Sequence, residues 1–211
     1  TQQVLVNEHL VKDAFVLPGL GTMELILEGV RTALPQYSDQ LVVNNLLLLA
    51  PLVVSDHIKL SVVVEKGENQ IKAELKITDS NKTLATCLIG TNTSSIKELI
   101  SLDSIKSRSK FTMTHEEVYE RFKAVEICYG ESFRGISKLW CSENEVLGLV
   151  NLPETAATLE EGYLWNPFLM DAIIQCTSGL QTPNEALNFM LPHKFENVCW
   201  LKEQPKSCWV H

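Results

Sequence analysis

The sequence of 211 residues has no long apolar run, no dense cluster of basic residues and no closely spaced cysteine pair. Its longest apolar stretch, Leu46 to Val54, is interrupted by Pro51 and falls far short of the roughly 18 residues that span a bilayer. The N-terminal segment also lacks the basic-then-apolar pattern of a secretion signal. The sequence therefore predicts neither a membrane role nor export.

Charge and cysteine usage exclude two further classes of protein. The 18 lysines and arginines are outnumbered by 26 acidic residues and form no basic run, so we expect no nucleic-acid binding. The six cysteines form no CxxC pair, which favours free thiols in a reducing, cytoplasmic setting. The five histidines show no metal-ligand spacing, so no metal site is predicted.

Apolar residues make up 45% of the chain, enough for a sizeable core, and their spacing predicts a helix followed by strands. Met23, Leu27, Val30 and Leu34 recur at helical spacing after Pro18-Gly19. Alternating segments separated by turn residues then predict an antiparallel sheet wrapped around this helix. The predicted strands are Gln40 to Leu49, His57 to Glu65, Gln70 to Asp79 and Thr83 to Thr91.

The second half repeats this combination without a visible sequence repeat. Residues 101–112 are interpreted as a surface linker, and Thr114 begins a helix that we expect to end at Tyr129-Gly130. A hairpin is predicted from Arg134 to Leu152, and a second apolar helix from Pro167 to Leu180. The apolar stretch Phe195 to Leu201 is expected to start another strand pair within the second half.

Two stretches set one titratable residue each beside an apolar helix. His9 precedes the turn at Pro18-Gly19, and Asp171 lies within the second apolar helix. Alone, each residue is typical of a structural role. Together they could form a general acid/base pair across a hydrophobic tunnel.

Three motifs give the chain a resemblance to the dehydratase domain of modular polyketide synthases, which is related to the dehydratase region of animal fatty acid synthases. The first motif is His9 with Pro18 and Gly19, with Asp13 where the family usually has Gly. The second runs from Tyr129-Gly130 through Phe133-Arg134-Gly135 to Leu139-Trp140. The third is Asp171 with Gln175, preceded by Asn166 where His is common.

The resemblance implies an α+β double hotdog, in which two antiparallel sheets each wrap around a central helix. It places the first hotdog unit at residues 1–100 and an incomplete second unit at 113–211. Family domains have another strand before His9 and several after His211, so we expect a chain trimmed at both ends.

The resemblance also implies the reaction. The domain would remove water from a β-hydroxyacyl thioester to give an α,β-unsaturated thioester, with His9 as base and Asp171 as acid. Tyr129, Gln175, Pro18, Gly19 and Phe133 would bind or orient the substrate and the acid. The substrate would be carried on the phosphopantetheine arm of an acyl carrier protein, with no metal or redox cofactor. Neighbouring synthase domains and a homodimer are further implied partners.

Asp13 leaves alternatives open, because a carboxylate replaces the Gly that permits positive φ and adds a charge near His9. Family members with altered first motifs include pyran-forming cyclases, enoyl double-bond isomerases and inactive domains. A different class of hypothesis is a catalytically silent domain for carrier docking or dimerisation. The presence of both His9 and Asp171 makes dehydration the leading hypothesis.

Overall fold

The structure, a computed structural model, describes residues 2–37, 41–54, 57–90, 100–159, 163–183, 187, 191–199 and 205–211. Three 3₁₀ turns lie at Pro35–Tyr37, Glu131–Phe133 and Cys176–Leu180. The helices and strands are, in chain order, α1 (Gln2–Asn7), β1 (His9–Val11), β2 (Ala14–Phe15), α2 (Gly19–Ala33), β3 (Val42–Leu48), β4 (Leu60–Lys66), β5 (Ile71–Ile77), β6 (Lys82–Gly90), α3 (Leu102–Arg108), β7 (Phe111–Thr114), α4 (His115–Ala124), β8 (Ile127–Tyr129), β9 (Ile136–Cys141), β10 (Val146–Asn151), α5 (Glu154–Ala157), α6 (Pro167–Gln175), β11 (Lys194–Val198) and β12 (Ser207–Val210).

The first antiparallel sheet has five strands in the order β11-β3-β6-β5-β4, and helix α2 packs across β4 and β5. Ile26, Leu27 and Val30 on α2 are fully buried. Removing each such side chain from water contributes roughly 1.5–3 kcal/mol. The four predicted strands and the central helix are confirmed, although α2 begins at Gly19 instead of Met23. Of the predicted strand ends, Gln40, Thr91 and residues 200–201 lie outside the described part of the chain.

The second antiparallel sheet has four strands in the order β12-β10-β9-β7, and α6 packs against β9 and β10. The predicted hairpin and the second apolar helix are confirmed. Helix α6 ends at Gln175 and continues as the 3₁₀ turn Cys176–Leu180. Asn166 caps α6, because its side-chain oxygen accepts hydrogen bonds from the N–H groups of Phe168 and Leu169. Helices α2 and α6 contact each other, which brings the two halves together.

A third sheet of three short strands, β2-β1-β8, joins the halves directly. Strand β1 pairs with β8 in antiparallel register, with His9 opposite Tyr129. Tyr129-Gly130 therefore does not end a helix, and that prediction is wrong. Helix α4 ends at Ala124, and the positive φ of Glu126, 62°, redirects the chain into β8.

One other prediction about the second half needs correction, and another gains detail. The segment 101–112, interpreted as a surface linker, is largely exposed. It contains α3, capped by Ser101 and anchored by the buried Ile105, and the first residues of β7. Strand β11 was expected within the second half, but it pairs with β3 of the first sheet. The local sequence pattern could not predict which strand β11 pairs with, because any exposed strand edge offers the same backbone groups.

Within the described residues, no helix is long and apolar enough to cross a membrane.

Candidate active site

His9 is held on β1 with its imidazole fixed by one backbone hydrogen bond. The ring is 5% exposed, and its Nδ1 lies 2.9 Å from the carbonyl oxygen of Val16. The backbone N–H of Val16 donates in return to the carbonyl of His9. Rings of Tyr129 and Phe133 pack against the imidazole at centroid distances of 5.4 and 5.7 Å. These contacts restrict the orientation of the ring.

The bond to Val16 also determines the tautomer of the neutral imidazole. A carbonyl oxygen can only accept, so Nδ1 carries the proton and donates it to Val16. Nε2 is then an unprotonated acceptor. His9 thus presents the form of imidazole that can remove a proton from a bound substrate.

Asp171 lies on α6 and is almost wholly buried, at 7% exposed. Its Oδ2 accepts a hydrogen bond of 2.8 Å from Nε2 of Gln175, one turn later on the same helix. Burial raises the pKa of Asp171 above its ordinary value, although the nearby His9 and the bond from Gln175 both act to lower it. The carboxyl group is therefore biased towards the protonated form that an acid catalyst needs.

Tyr129 lies opposite His9 in the β1–β8 ladder and lines the same cavity. Burial raises the pKa of its phenol well above the ordinary value, and the nearby Asp171 raises it further. The hydroxyl therefore stays protonated as a hydrogen-bond donor. Among the described residues, it has no recorded hydrogen-bond partner.

The N-terminus of α2 forms another part of the wall. Pro18 is the capping residue, and its carbonyl accepts the N–H of Thr22. Gly19 and Thr22 line the cavity, whereas Pro18 does not. A Cβ on Gly19 would lie 2.8 Å from Cδ1 of Leu48, so the glycine allows the helix start to approach the opposite wall. The first N–H groups of a helix have no intrahelical partner and favour negative charge.

The cavity has a volume of about 510 Å³ and a largely apolar lining. His9, Tyr129, Asp171 and Gln175 all reach it, although they come from three separate elements. One wall is built by residues 48–52, which begin at the last residue of β3. The other residues that line it are Val16, Leu17, Gly19, Thr22, Phe122, Ile174, Thr177, Ser178, Leu180, Gln181, Leu187, Leu191, Pro192 and His193.

Phe133 and Asp13 lie outside this lining. Phe133 is fully buried, and its ring packs on Phe168 of α6 while its carbonyl accepts from Gln175 Nε2. It supports the site from behind instead of facing a substrate. Asp13 lies with Lys12 in the two-residue turn between β1 and β2, and both have positive φ, at 61° and 47°. Positive φ at both central residues is typical of a type I′ turn, where glycine is favoured.

Two buried residues of the site region were missed by the sequence analysis. Tyr119 on α4 donates a hydrogen bond of 2.9 Å to Gln175 Oε1. Glu24 on α2 accepts backbone N–H groups of Leu164 and Trp165, just before α6, and burial raises its pKa to about 7. A glutamate at an apolar position of the predicted helix was an available signal for Glu24. No feature of the sequence distinguishes Tyr119 from an ordinary core tyrosine of the predicted helix.

The described residues contain no group of three or more His, Cys, Asp or Glu side chains that could hold a metal ion.

Comparisons with known proteins agree on one family. A model described as polyketide synthase dehydratase N-terminal domain matches residues 101–211, and one described as polyketide synthase dehydratase domain matches residues 1–79. Polyketide synthase PksL from Bacillus subtilis is 25% identical over 222 residues, which cover 99% of this chain and 5% of that protein. The chain thus spans about one-twentieth of the length of this relative.

Two solved dehydratase domains of the curacin polyketide synthase are similar in structure. The domain from the CurK module has a TM-score of 0.85 at 23% identity, covering 98% of this chain and 75% of that chain. The domain from the CurF module has a TM-score of 0.78 at 26% identity, covering 91% and 72%. Two further CurK dehydratase structures are of inactive mutants, one with His replaced by Phe and one with Asp replaced by Asn. From its fold and its match over more than half of the sequence, this chain belongs to the polyketide synthase dehydratase family and is a double hotdog.

Proposed function

We propose that this domain eliminates water from a β-hydroxyacyl thioester to give an α,β-unsaturated thioester. One observation carries the proposal: His9 and Asp171, from opposite halves of the sequence, line one apolar cavity, where His9 is near enough to influence the pKa of Asp171. His9 offers an unprotonated Nε2, and burial raises the pKa of Asp171. A base and an acid with these environments suit removal of one proton and delivery of another.

The elimination begins at the carbon next to the thioester carbonyl. Nε2 of His9 takes a proton from this carbon, and the electron pair of the broken C–H bond forms the new double bond. Backbone N–H groups at the N-terminus of α2, beside Gly19, would stabilise negative charge that develops on the carbonyl oxygen. The apolar cavity strengthens that interaction because it excludes water.

Loss of the hydroxyl group completes the reaction. The C–O bond at the β-carbon breaks as the carboxyl proton of Asp171 is transferred to the departing oxygen, which leaves as water. The Tyr129 hydroxyl, a donor on the same cavity wall, would hold this oxygen before it departs. His9 is then protonated and Asp171 ionised. Transfer of one proton from the imidazolium to the carboxylate restores the starting state.

The inactive CurK mutants support these assignments, since they replace a histidine and an aspartate, the residue types that face the cavity here. The substrate would arrive on the phosphopantetheine arm of an acyl carrier protein, and no metal or redox cofactor is needed. The much greater length of PksL supports neighbouring synthase domains in the same protein. A homodimer and a cytoplasmic location belong to the same proposal, and the six free thiols favour a reducing compartment.

The test is conversion of short β-hydroxyacyl thioesters of both configurations, followed by mass spectrometry for the loss of one water. His9→Ala and Asp171→Asn should each lower turnover by about 10²–10⁴-fold. His211→Ala and Asp103→Asn, at exposed positions, are the matched controls and should retain it.

Other outcomes distinguish the alternatives. Isomerisation or cyclisation of enoyl substrates without water loss would overturn the proposal in favour of a variant enzyme. Carrier-protein binding with no turnover of any substrate would instead identify a docking domain.

A further inference from the structure

Tyr119 lies behind the candidate acid and does not line the cavity. It is 6% exposed, and three polar groups lie within hydrogen-bond distance of its hydroxyl. It accepts the N–H of Ile136 at 3.1 Å and contacts Gln175 Oε1 at 2.9 Å and the carbonyl of Phe133 at 3.3 Å. The Gln175 amide thus links the Tyr119 hydroxyl to Asp171 by hydrogen bonds.

Two neighbours orient the amide. The Phe133 carbonyl can only accept and so requires the NH₂ group, and the Tyr119 hydroxyl can donate to the amide oxygen. A tyrosine hydroxyl has one proton to donate, and the shorter contact directs it to Gln175 Oε1 instead of Phe133. The Gln175 oxygen must then face Tyr119. Its NH₂ group consequently faces the other way, where its two hydrogens reach the Phe133 carbonyl at 3.2 Å and Asp171 Oδ2 at 2.8 Å.

The amide orientation decides where a protonated Asp171 can keep its proton. With NH₂ towards Oδ2, that oxygen is an acceptor, so the acid proton belongs on Oδ1. Oδ1 has no recorded hydrogen bond to any described residue. If the amide turned over, Oε1 would face Oδ2 and could accept the acid proton itself. The proton would then be held in a buried bond, away from the cavity.

We propose that Tyr119 is a positioning residue, which together with the Phe133 carbonyl fixes the Gln175 amide and thereby keeps the proton of Asp171 on Oδ1, available to a departing hydroxyl. The contribution of Tyr119 to acid catalysis by Asp171 rests on the proposed dehydration. The orientation of the amide does not, because it follows from the hydrogen bonds alone.

Several ionisable groups surround this arrangement and affect its titration. His9 on β1 and Tyr129 on β8 face Asp171, and Tyr119 itself lies near Asp171 and Cys176. The Arg134 guanidinium lies 5.6 Å from the centre of the Tyr119 ring. Burial raises the pKa of Tyr119 well above its ordinary value, beyond the range of the experiments below. Its hydroxyl proton therefore stays in place throughout a pH profile.

Neutron diffraction of the unmodified, deuterium-exchanged protein tests the orientation without a mutation and without turnover. We expect the Tyr119 deuteron to point at Gln175 Oε1 and both amide deuterons to lie on the atom facing Asp171 and Phe133. Amide deuterons facing Tyr119 would overturn the proposal. This result stands even if no substrate is dehydrated, so it separates failure of this inference from failure of the proposed function.

The variant Tyr119→Phe tests the consequence for the acid. We expect kcat to fall about ten- to hundredfold, the effect of losing one buried hydrogen bond, with KM nearly unchanged. The alkaline limb of the pH profile should move to higher pH, because an amide that no longer donates to the carboxylate stops lowering its pKa. A fall in kcat with an unmoved limb would indicate a merely structural role and contradict the proposal.

Tyr163→Phe is the matched control, since it removes a buried tyrosine hydroxyl that has no recorded partner among the described residues. It should leave kcat and the alkaline limb unchanged. A second check combines Tyr119→Phe with Gln175→Leu. If Tyr119 acts through Gln175, the double variant should be little slower than Gln175→Leu alone, whereas multiplied losses would contradict the coupling.

Discussion

His9 of β1 and Tyr129 of β8 are direct partners in an antiparallel ladder, and their rings meet edge to face at 5.4 Å. The contact is reinforced on one side by Glu8. Its carbonyl accepts the N–H of Gly130 at 2.8 Å, and its carboxylate accepts the N–H of Ser132 at 2.7 Å. Two motifs that are distant in sequence thereby become one wall of the cavity. The position of the candidate base, His9, depends on this pairing of β1 with β8.

The pH dependence of turnover should reflect the burial of Asp171. Its pKa is raised above the ordinary value of 3.8, and the acid must be protonated to act, so kcat/KM should fall only as pH rises through that higher value. The measurement is a pH profile of water loss from a β-hydroxyacyl thioester. An alkaline limb that already falls near pH 4 would show that Asp171 is not held protonated by its surroundings.

Glu24 should make the stability of the fold pH-dependent. Burial raises its pKa from 4.5 in the unfolded reference to about 7, so its contribution is complete at low pH and is lost as pH rises through about 7. This amounts to at most about 3 kcal/mol of unfolding free energy. Urea denaturation between pH 5 and pH 8 measures it.

The variant Glu24→Gln should flatten that pH dependence, because an amide does not titrate. Its stability at pH 5 should also be lower, since one of the N–H groups of Leu164 and Trp165 would face an NH₂ group. Glu68→Gln, at an exposed position in the turn between β4 and β5, is the matched control and should preserve the wild-type slope. Parallel pH slopes for wild type and Glu24→Gln would refute this assignment.

Asp13→Gly should stabilise the protein slightly and leave turnover unchanged. Asp13 has a φ of 61°, which glycine adopts without steric cost, so we expect a gain of about 0.5 kcal/mol. Asp13→Ala should be destabilising by about 1 kcal/mol, because a Cβ without a polar group disfavours this region. Thermal and urea unfolding compare the three proteins. Altered turnover in a fully folded Asp13→Gly variant would indicate instead that the carboxylate acts on His9.

Gly135→Ala should disturb the helix that carries Asp171. A Cβ at this position would lie 2.8 Å from Cβ of Ala172 and 2.9 Å from the carbonyl oxygen of Asn151, so α6 or β10 must move. We expect a loss of about 1–3 kcal/mol in stability, together with reduced turnover. Gly67→Ala is the matched control, in an exposed turn away from the cavity. Equal effects of the two substitutions would contradict the close packing inferred here.

Local pattern was sufficient for much of the fold. Apolar spacing predicts α2 and α6, and alternation with turn residues predicts β3 to β6 and the β9–β10 hairpin. Each of these elements buries one face, and the period of its apolar residues can be recognised from its own segment of sequence. The capping box of Thr114 and Glu117 likewise starts α4 where the sequence predicts. The predicted end of that helix is wrong, since the reversal at Glu126 depends on β8 pairing with a distant strand.

The sequence by itself determined the family, through His9, Tyr129 and Asp171 within their motifs, and the helices that carry the apolar walls. Only the tertiary structure decided which strands pair across the halves, as β1 with β8 and β11 with β3, and which polar groups are buried. The physical reason is that strand edges are chemically alike and that desolvation depends on the packed surroundings of a group. The raised pKa values of Asp171 and Glu24, and the link from Tyr119 through Gln175, exist only once those surfaces have met.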